Sequence, residues 1–118
     1  MRAGAIGERS APVRRGDIWW VALDPAQGSE ISKTRPAVVI TADALNRARR
    51  TVVIVPLSTG PEPRPPIVVA TPSAGPGAVA VCDQLRAVDK HRLTRTFGRL
   101  SVSDLGIVED GVRRVLEL

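Results

Sequence analysis

The sequence contains very few of the residues on which many catalytic and secreted proteins depend. It has one cysteine, Cys82, and one histidine, His91, and its aromatic residues are Trp19, Trp20 and Phe97. A lone cysteine excludes an intrachain disulfide, and no run approaches the roughly 18 apolar residues that a membrane span requires. We therefore expect a soluble protein of the reducing cytoplasm.

The same scarcity argues against a metal site and against histidine-centred catalysis. One histidine, one cysteine and scattered carboxylates do not provide the clustered ligands of a zinc or transition-metal site. A Ser-His-Asp triad through His91 lacks the nucleophile-elbow sequence that accompanies such triads, and residues 89–92 resemble a solvated helical turn. We expect no metal and no cofactor.

Positive charge, by contrast, is in excess. The formal net charge is +5 at pH 7, and fifteen of the seventeen basic residues are arginines. Because the planar guanidinium group pairs bidentately with phosphate, this bias favours a nucleic-acid partner. A genome rich in G and C would also favour arginine codons, and few aromatic side chains are present for base stacking. Charge alone leaves both explanations open.

Short apolar segments between glycine and proline turns predict a mainly β domain. Residues 1–13 lack a pattern and are expected to form a disordered tail, so the single domain is assigned to residues 14–118. Together, the short strands and the turns predict a small, strongly bent sheet or barrel. Dimerisation would cover the exposed edges of that sheet. The expected strands are residues 18–23, 37–41, 51–57, 67–70, 78–82, 85–88 and 97–100.

Helices are expected at three places. Asp43 is expected to cap one turn over residues 43–47, and Asp89 to cap another that ends at Leu93. The only long helix begins at Ser101 or Ser103. Gly106 and Gly111 each weaken it by about 1 kcal/mol relative to alanine, so it must depend on docking against the sheet. Its apolar face is formed by Leu105, Val108, Val112, Val115 and Leu116.

A polar loop between the first two strands presents a basic residue at a fixed point. The loop covers residues 24–34, and its length of about eleven residues is typical of functional or mobile loops. Arg35 follows it and is held beside Pro36. Metal-free RNA cleavage needs such a cation for the phosphorane charge and groups that handle protons on the attacking and leaving oxygens. Arg35, with the hydroxyl groups of Ser58 and Thr59, is therefore the candidate set.

The same stretch carries a resemblance to a known family. The matching segments are Arg-Gly-Asp-Ile-Trp at 15–19, Leu-Asp-Pro at 23–25, Gly-Ser-Glu at 28–30, Arg-Pro-Ala-Val-Val-Ile at 35–40, Asn-Arg at 46–47, Val-Pro-Leu-Ser-Thr at 55–59, Cys-Asp-Gln at 82–84, Arg86 and Asp89. In this order they resemble the MazF/PemK/Kid family of bacterial toxin-antitoxin toxins, over roughly residues 14–118.

The resemblance implies a fold, an activity and partners. The fold is an SH3-like β-barrel with a C-terminal helix, of the plasmid-maintenance toxin type that MazF, PemK and CcdB share, paired as a two-fold homodimer. The activity is that of an mRNA interferase, a metal-independent, sequence-specific endoribonuclease. It leaves 2',3'-cyclic phosphate and 5'-OH ends on single-stranded RNA and so inhibits translation and growth. The inhibitory partner is a MazE-like antitoxin whose acidic, extended segment occupies a basic groove.

The resemblance also implies site residues. MazF-type relatives line the scissile phosphate with an arginine and a threonine, which fall here on Arg35 and Ser58, with Thr59 in reserve. The Kid-type branch uses a histidine and an arginine whose positions are Ser29 and Val81 here, and it leaves only Asp83. A Kid-like acid-base mechanism therefore lacks two of its groups.

Further residues are predicted to contact RNA. Asp83 and Gln84 either contact bases or hold the sheet, and Arg86 either contacts phosphate or pairs with Asp89 in a surface ion pair. The full RNA-binding set is Glu30, Lys33, Thr34, Thr59, Asp83, Gln84 and Arg86.

Two other functions remain open from the sequence. A gyrase-inhibiting toxin of the CcdB type has the same fold, but this chain ends in Val-Leu-Glu-Leu at 115–118 and lacks the Trp-Gly-Ile ending of that type. A non-catalytic nucleic-acid-binding barrel is the other alternative. Substitution of Arg35 separates them, because growth arrest should disappear for a nuclease and persist for a gyrase inhibitor.

Overall fold

The β-branched segments of the sequence pair into one antiparallel sheet. The computed structural model describes residues 12–25 and 27–118, and the described residues form seven strands, two α-helices and three single-turn 3-10 helices. The strands are β1 (Asp17–Ala22), β2 (Thr34–Val39), β3 (Thr51–Ser58), β4 (Val68–Ala70), β5 (Val79–Val81), β6 (Arg86–Asp89) and β7 (Leu93–Arg99). The helices are α1 (Asp43–Ala48) and α2 (Val102–Leu116), and the 3-10 turns are Pro72–Ala74, Cys82–Gln84 and Lys90–Arg92.

The sheet is bent but open. Its strand order is β4-β5-β3-β2-β1-β7, and β6 pairs with the first half of β3. Register shifts between Ile18 and Trp19 and between Trp20 and Val21 interrupt the β1–β7 ladder, and such irregularities bend a sheet. The expectation of a barrel therefore needs correction, because among the described strands β4 and β7 form the two ends of the order and do not pair.

Three sequence-based assignments are wrong. The second strand begins at Thr34 and not at Ala37, and it ends at Val39, because residues 34–36 already pair with β1. The last strand begins at Leu93 and not at Phe97, because residues 93–96 continue the ladder against β1. Asp43 does not cap α1: the cap position is Ala42, without a side-chain bond. The Asp43 carboxylate instead accepts hydrogen bonds from the backbone N of Arg15 at 2.7 Å and from the side chain of Asn46 at 3.2 Å. These bonds lower the pKa of Asp43, with the Arg15 amide as the largest cause.

The other two caps lie where the sequence predicted them. The Ser101 side chain accepts a hydrogen bond from the backbone N of Asp104 at 3.0 Å and so begins α2. The Asp89 side chain accepts from the backbone N of His91 at 2.9 Å and caps the 3-10 turn at Lys90–Arg92. The helix also docks as predicted through Val108, which is fully buried, although Leu116 at its end is 47% exposed.

Two apolar clusters hold the sheet and α2 together. One gathers β1, β2, β3 and β6 around Trp19, and the other places α2 against β1, β3, β4 and β5. Val13, which was assigned to the predicted tail of residues 1–13, is instead buried in the first cluster. Residues 1–11 of that predicted tail lie outside the described residues. No described helix is both long and apolar enough to cross a membrane.

Candidate functional site

The pairing of β2 with β3 brings Arg35 and Ser58 to the same place. Ala37 lies opposite Pro56, and continuing this antiparallel register by two residues places Arg35 opposite Ser58. Both line one open cleft of about 480 Å³, which we call the arginine cleft. Its polar wall is Lys33, Thr34, Arg35, Ser58 and Thr59, and its apolar wall is Trp20, Pro36, Leu57, Ala74, Ala78 and Phe97.

The end of the polar loop is anchored just before Arg35. Lys33 has a left-handed backbone (φ 68°), a conformation that is uncommon for a residue with a Cβ. Its N donates to the Asp24 carboxylate at 2.9 Å, and its carbonyl accepts from the Leu23 N at 2.9 Å. The half-buried Arg35 donates from Nε to the Ser32 carbonyl at 3.4 Å. The loop therefore fixes where the guanidinium group enters the cleft.

An aromatic wall completes the arginine cleft. Trp19 is buried in the core, and its neighbour Trp20 points to the opposite face and lines the cleft. The Trp20 ring meets Phe97 edge-on, with centroids 5.5 Å apart, and the Arg95 guanidinium lies 4.9 Å from its centroid. Neither Trp20 nor Phe97 was among the predicted site residues, although two adjacent tryptophans in one strand must face opposite sides.

Four of the other predicted residues line a second depression of about 420 Å³, which we call the loop cleft. It is bounded by Ser29, Glu30, Ile31, Pro56, Asp83, Gln84, Leu85 and Arg86. Pro56 belongs to this cleft and Ser58 to the arginine cleft, and two residues of a strand span only about 7 Å. The two clefts are therefore neighbours along β3.

Gln84 holds the polar loop. Its Oε1 accepts from the Ile31 N at 2.8 Å, and its Nε2 donates to the Ser29 carbonyl at 3.3 Å. Within the loop, the Glu30 carboxylate accepts from the Gln27 N at 2.6 Å. Both amide atoms of Gln84 are thus engaged with backbone of the polar loop, so its side chain holds this loop and not the sheet, which was one of the two alternatives.

Arg86 and Asp89 do not form the ion pair that was one alternative. Arg86 donates from one guanidinium nitrogen to the Leu23 carbonyl at 3.4 Å. The Asp89 carboxylate is engaged by His91, whose Nδ1 lies 2.7 Å away. The backbone hydrogen bond from His91 is the largest of the causes that lower the pKa of Asp89. His91 lies outside both clefts and is surface-exposed.

The chemistry available in the clefts is that of a cation and hydroxyl groups. Cys82 is buried, and burial raises the pKa of its thiol to about 11, so it is not a nucleophile at neutral pH. Within the described part of the chain, no group of three or more histidine, cysteine or carboxylate residues could hold a metal ion. A guanidinium group beside two hydroxyl groups is suited to bind and polarise a phosphodiester.

Comparison with known proteins agrees with this chemistry. Residues 14–116 match the family model described as "PemK-like, MazF-like toxin of type II toxin-antitoxin system". Endoribonuclease MazF9 of Mycobacterium tuberculosis is 33% identical over 115 residues, which covers 90% of this chain and 98% of the relative.

Solved structures share the fold. MazF from Deinococcus radiodurans superposes with a TM-score of 0.79 at 22% identity, covering 89% of this chain and 96% of the other. An endoribonuclease from a mycobacterial species, solved in complex with its cognate antitoxin, superposes with a TM-score of 0.73 at 21% identity, over 89% and 95% of the two chains.

Proposed function

The chain belongs to the PemK-like, MazF-like toxin family of type II toxin-antitoxin systems, and we propose that it is a metal-independent, sequence-specific endoribonuclease. It cleaves single-stranded RNA, such as mRNA, to 2',3'-cyclic phosphate and 5'-OH ends and so arrests translation and growth. The observation that carries this proposal is that Arg35 and Ser58 line one cleft, just beyond the paired ends of β2 and β3, in a chain from this family.

Arg35 and Ser58 are the proposed catalytic residues. The ribose 2'-hydroxyl loses its proton to water, and its oxygen forms a bond to phosphorus while the bond from phosphorus to the 5'-oxygen breaks. The leaving 5'-oxygen takes up a proton from water, and negative charge accumulates on the non-bridging oxygens in between. The Arg35 guanidinium stabilises that charge, and the Ser58 hydroxyl donates a hydrogen bond to the same group. The neighbouring hydroxyl of Thr59 lines the same cleft and is the reserve candidate.

RNA binding extends from the arginine cleft into the loop cleft. Lys33 and Thr34 contribute beside the scissile phosphate, and Asp83 presents an exposed carboxylate that could read a base edge in an unpaired strand. Glu30, Gln84 and Arg86 act on the substrate chiefly through the loop that they hold. This divides the predicted set into residues that touch RNA and residues that shape its path.

We propose two protein partners. The first is a second copy of this chain, since Phe97 is 42% exposed and Val102 is 91% exposed, and apolar side chains of this kind are typical of subunit interfaces. The second is an antitoxin with an acidic, extended segment, because the mycobacterial relative was solved with its cognate antitoxin and the arginine cleft is lined by two cations, Lys33 and Arg35, and by no carboxylate. Both interactions would take place in the cytoplasm.

The proposal is tested by mapping new 5' ends on a long RNA by primer extension, with EDTA present. Purified protein should give discrete cuts that share a short motif, and Arg35→Ala should give none. Arg113→Ala, which removes an exposed arginine of α2, is the matched control and should cut as the unsubstituted protein does. Intact RNA, together with growth arrest that persists in Arg35→Ala, would instead indicate a gyrase inhibitor.

A further inference from the structure

A second basic surface lies at the opposite end of β3 from the arginine cleft. An open groove of about 660 Å³ runs between the end of α1 and the turn after β6. We call it the far basic surface. It is lined by Arg47, Ala48, Arg49, Arg50, Asp89, Lys90 and His91. Four of these seven residues carry a permanent positive charge, and one carries a carboxylate.

The side chains of three arginines of this surface do not help to hold the fold. Arg47, Arg49 and Arg50 are exposed, and within the described chain their guanidinium groups form no hydrogen bond and no ion pair. Elsewhere arginines are used to hold the fold: Arg99 pairs with Asp17, and Arg92 donates to carbonyls of the β1 end. The three cations are therefore available to a ligand.

The acidic groups near the surface already have partners. His91 holds the Asp89 carboxylate through Nδ1 at 2.7 Å and through its backbone N at 2.9 Å. Asp43, the carboxylate on α1, accepts from the Arg15 N and from Asn46. Because these carboxylates are engaged by other donors, they neutralise the neighbouring arginines only through longer-range attraction, which solvent and salt screen.

The backbone beneath the surface is fixed. The Lys90 N donates to the Arg50 carbonyl at 2.8 Å, and Thr51 lies opposite Asp89 in the β3–β6 ladder. The Arg49 N donates to the Leu45 carbonyl at 2.9 Å and closes α1. The chain segments that carry the cations are thus tied to each other, so binding an anion requires ordering only side chains.

We propose that the far basic surface binds the phosphodiester backbone of the RNA substrate, without regard to sequence, outside the cleaved segment. It begins at the start of β3, and the seven-residue step from Thr51 to Ser58 spans about 23 Å. Only an RNA several nucleotides longer than the cleaved segment can reach both sites, so the surface strengthens binding of long substrates and not of short ones. This inference rests on the proposed function, whose clefts supply the first contact.

The test measures binding to 2'-O-methyl oligouridylates of about 6 and about 30 nucleotides, which lack the attacking hydroxyl and are not cleaved. Arg49→Gln/Arg50→Gln is compared with Arg113→Gln/Arg114→Gln, an equally exposed adjacent pair with the same change in charge. We expect the first variant to bind the long probe about tenfold more weakly and to reduce the salt slope by about 1.4, at about 0.7 per lost phosphate contact. Short-probe binding should not change.

Several outcomes would overturn this inference. Equal long-probe affinity in both variants would remove the surface from RNA binding, and equal losses would reduce it to a net-charge effect. Loss of antitoxin binding with unchanged RNA binding would assign the surface to an acidic protein. Failure of the proposed function is seen separately, because it appears as uncut RNA in the primer-extension experiment, whereas this test requires no cleavage.

Discussion

Ser58 and Thr59 show what a single residue contributes to the candidate site. Both residues line the arginine cleft, at the end of the strand that pairs with the strand carrying Arg35. A serine side chain rotates more freely at χ1 than a threonine, so the hydroxyl group of Ser58 is less confined than that of a threonine at the same place.

Removing the Ser58 hydroxyl should slow cleavage. A hydrogen bond to a charged group is worth about 1.5 to 3 kcal/mol, so Ser58→Ala should lower the single-turnover rate constant by about 10- to 100-fold. Ser58→Thr, which retains the hydroxyl and confines it, should keep the rate. The control is Thr59→Val, which has nearly the same shape without a hydroxyl. If Thr59→Val loses more than Ser58→Ala, the catalytic hydroxyl belongs to Thr59.

At the scale of elements, α2 packs so closely at one of its two glycines that a side chain would not fit, and the sequence does not show which glycine this is. Gly106 and Gly111 are both unfavourable in an isolated helix, and the sequence treats them alike. In the structure they differ. A Cβ at position 111 would lie 2.7 Å from the Cys82 sulfur and 2.9 Å from the Pro66 carbonyl oxygen, whereas a Cβ at position 106 would meet nothing within 4 Å.

The two glycines should therefore respond oppositely to alanine. Gly111→Ala should reduce the free energy of unfolding by about 1 to 3 kcal/mol, because a backbone carbonyl cannot move aside cheaply. Gly106→Ala should raise it by up to about 1 kcal/mol through helix propensity alone. Urea unfolding of both variants measures the difference. A stabilised Gly111→Ala would mean that α2 does not pack this closely.

The polar loop is the other element whose geometry decides function. It joins the sheet only at its two ends, and its middle is held by the side chain of Gln84. This residue contacts Ile31, although the two are 53 residues apart in sequence. Such a contact cannot be read from local pattern. From the sequence, Gln84 was expected to contact RNA bases or to hold the sheet, and the loop backbone groups that it engages could not be identified.

Gln84→Ala should release the loop. We expect faster hydrogen exchange at the Ile31 amide and a KM for RNA that rises by about 30-fold with a smaller change in kcat, because two hydrogen bonds of about 1 kcal/mol each are lost. Asp83→Ala changes the neighbouring exposed residue and should leave that amide's exchange unchanged. Unchanged exchange in Gln84→Ala would show that other contacts hold the loop.

For the whole molecule, local pattern predicted the number of strands and their approximate places along the chain, and it predicted the terminal helix with Ser101 as one of its two candidate starts. The β-branched run that forms β3 shows why: its side chains favour an extended backbone in any context. Closure of the sheet could not be predicted, because it depends on how β1 bends against β7. Asp43 was assigned wrongly because a distant amide, that of Arg15, competes for its carboxylate.

For the candidate site, the family resemblance and the charged residues suggested which residues take part, but the sequence could not predict how they are arranged. Arg35 and Ser58 come together because two strands pair in one register, which the sequence does not specify by itself. Trp20 and Phe97 were missed because the adjacent tryptophans show only that one of them faces away from the core, whereas the shared position of Trp20 and Phe97 in the cleft depends on the β1–β7 pairing.

The measurement that tests this account most directly is the single-turnover rate of RNA cleavage by Arg35→Ala in EDTA. Loss of one charge-stabilising group typically costs about 10²- to 10³-fold, and we predict a loss of that size relative to the unsubstituted protein, with partial recovery when guanidinium ion is added at a non-denaturing concentration. A rate equal to that of the unsubstituted protein would contradict the assignment of the catalytic charge to Arg35 and of the arginine cleft to catalysis.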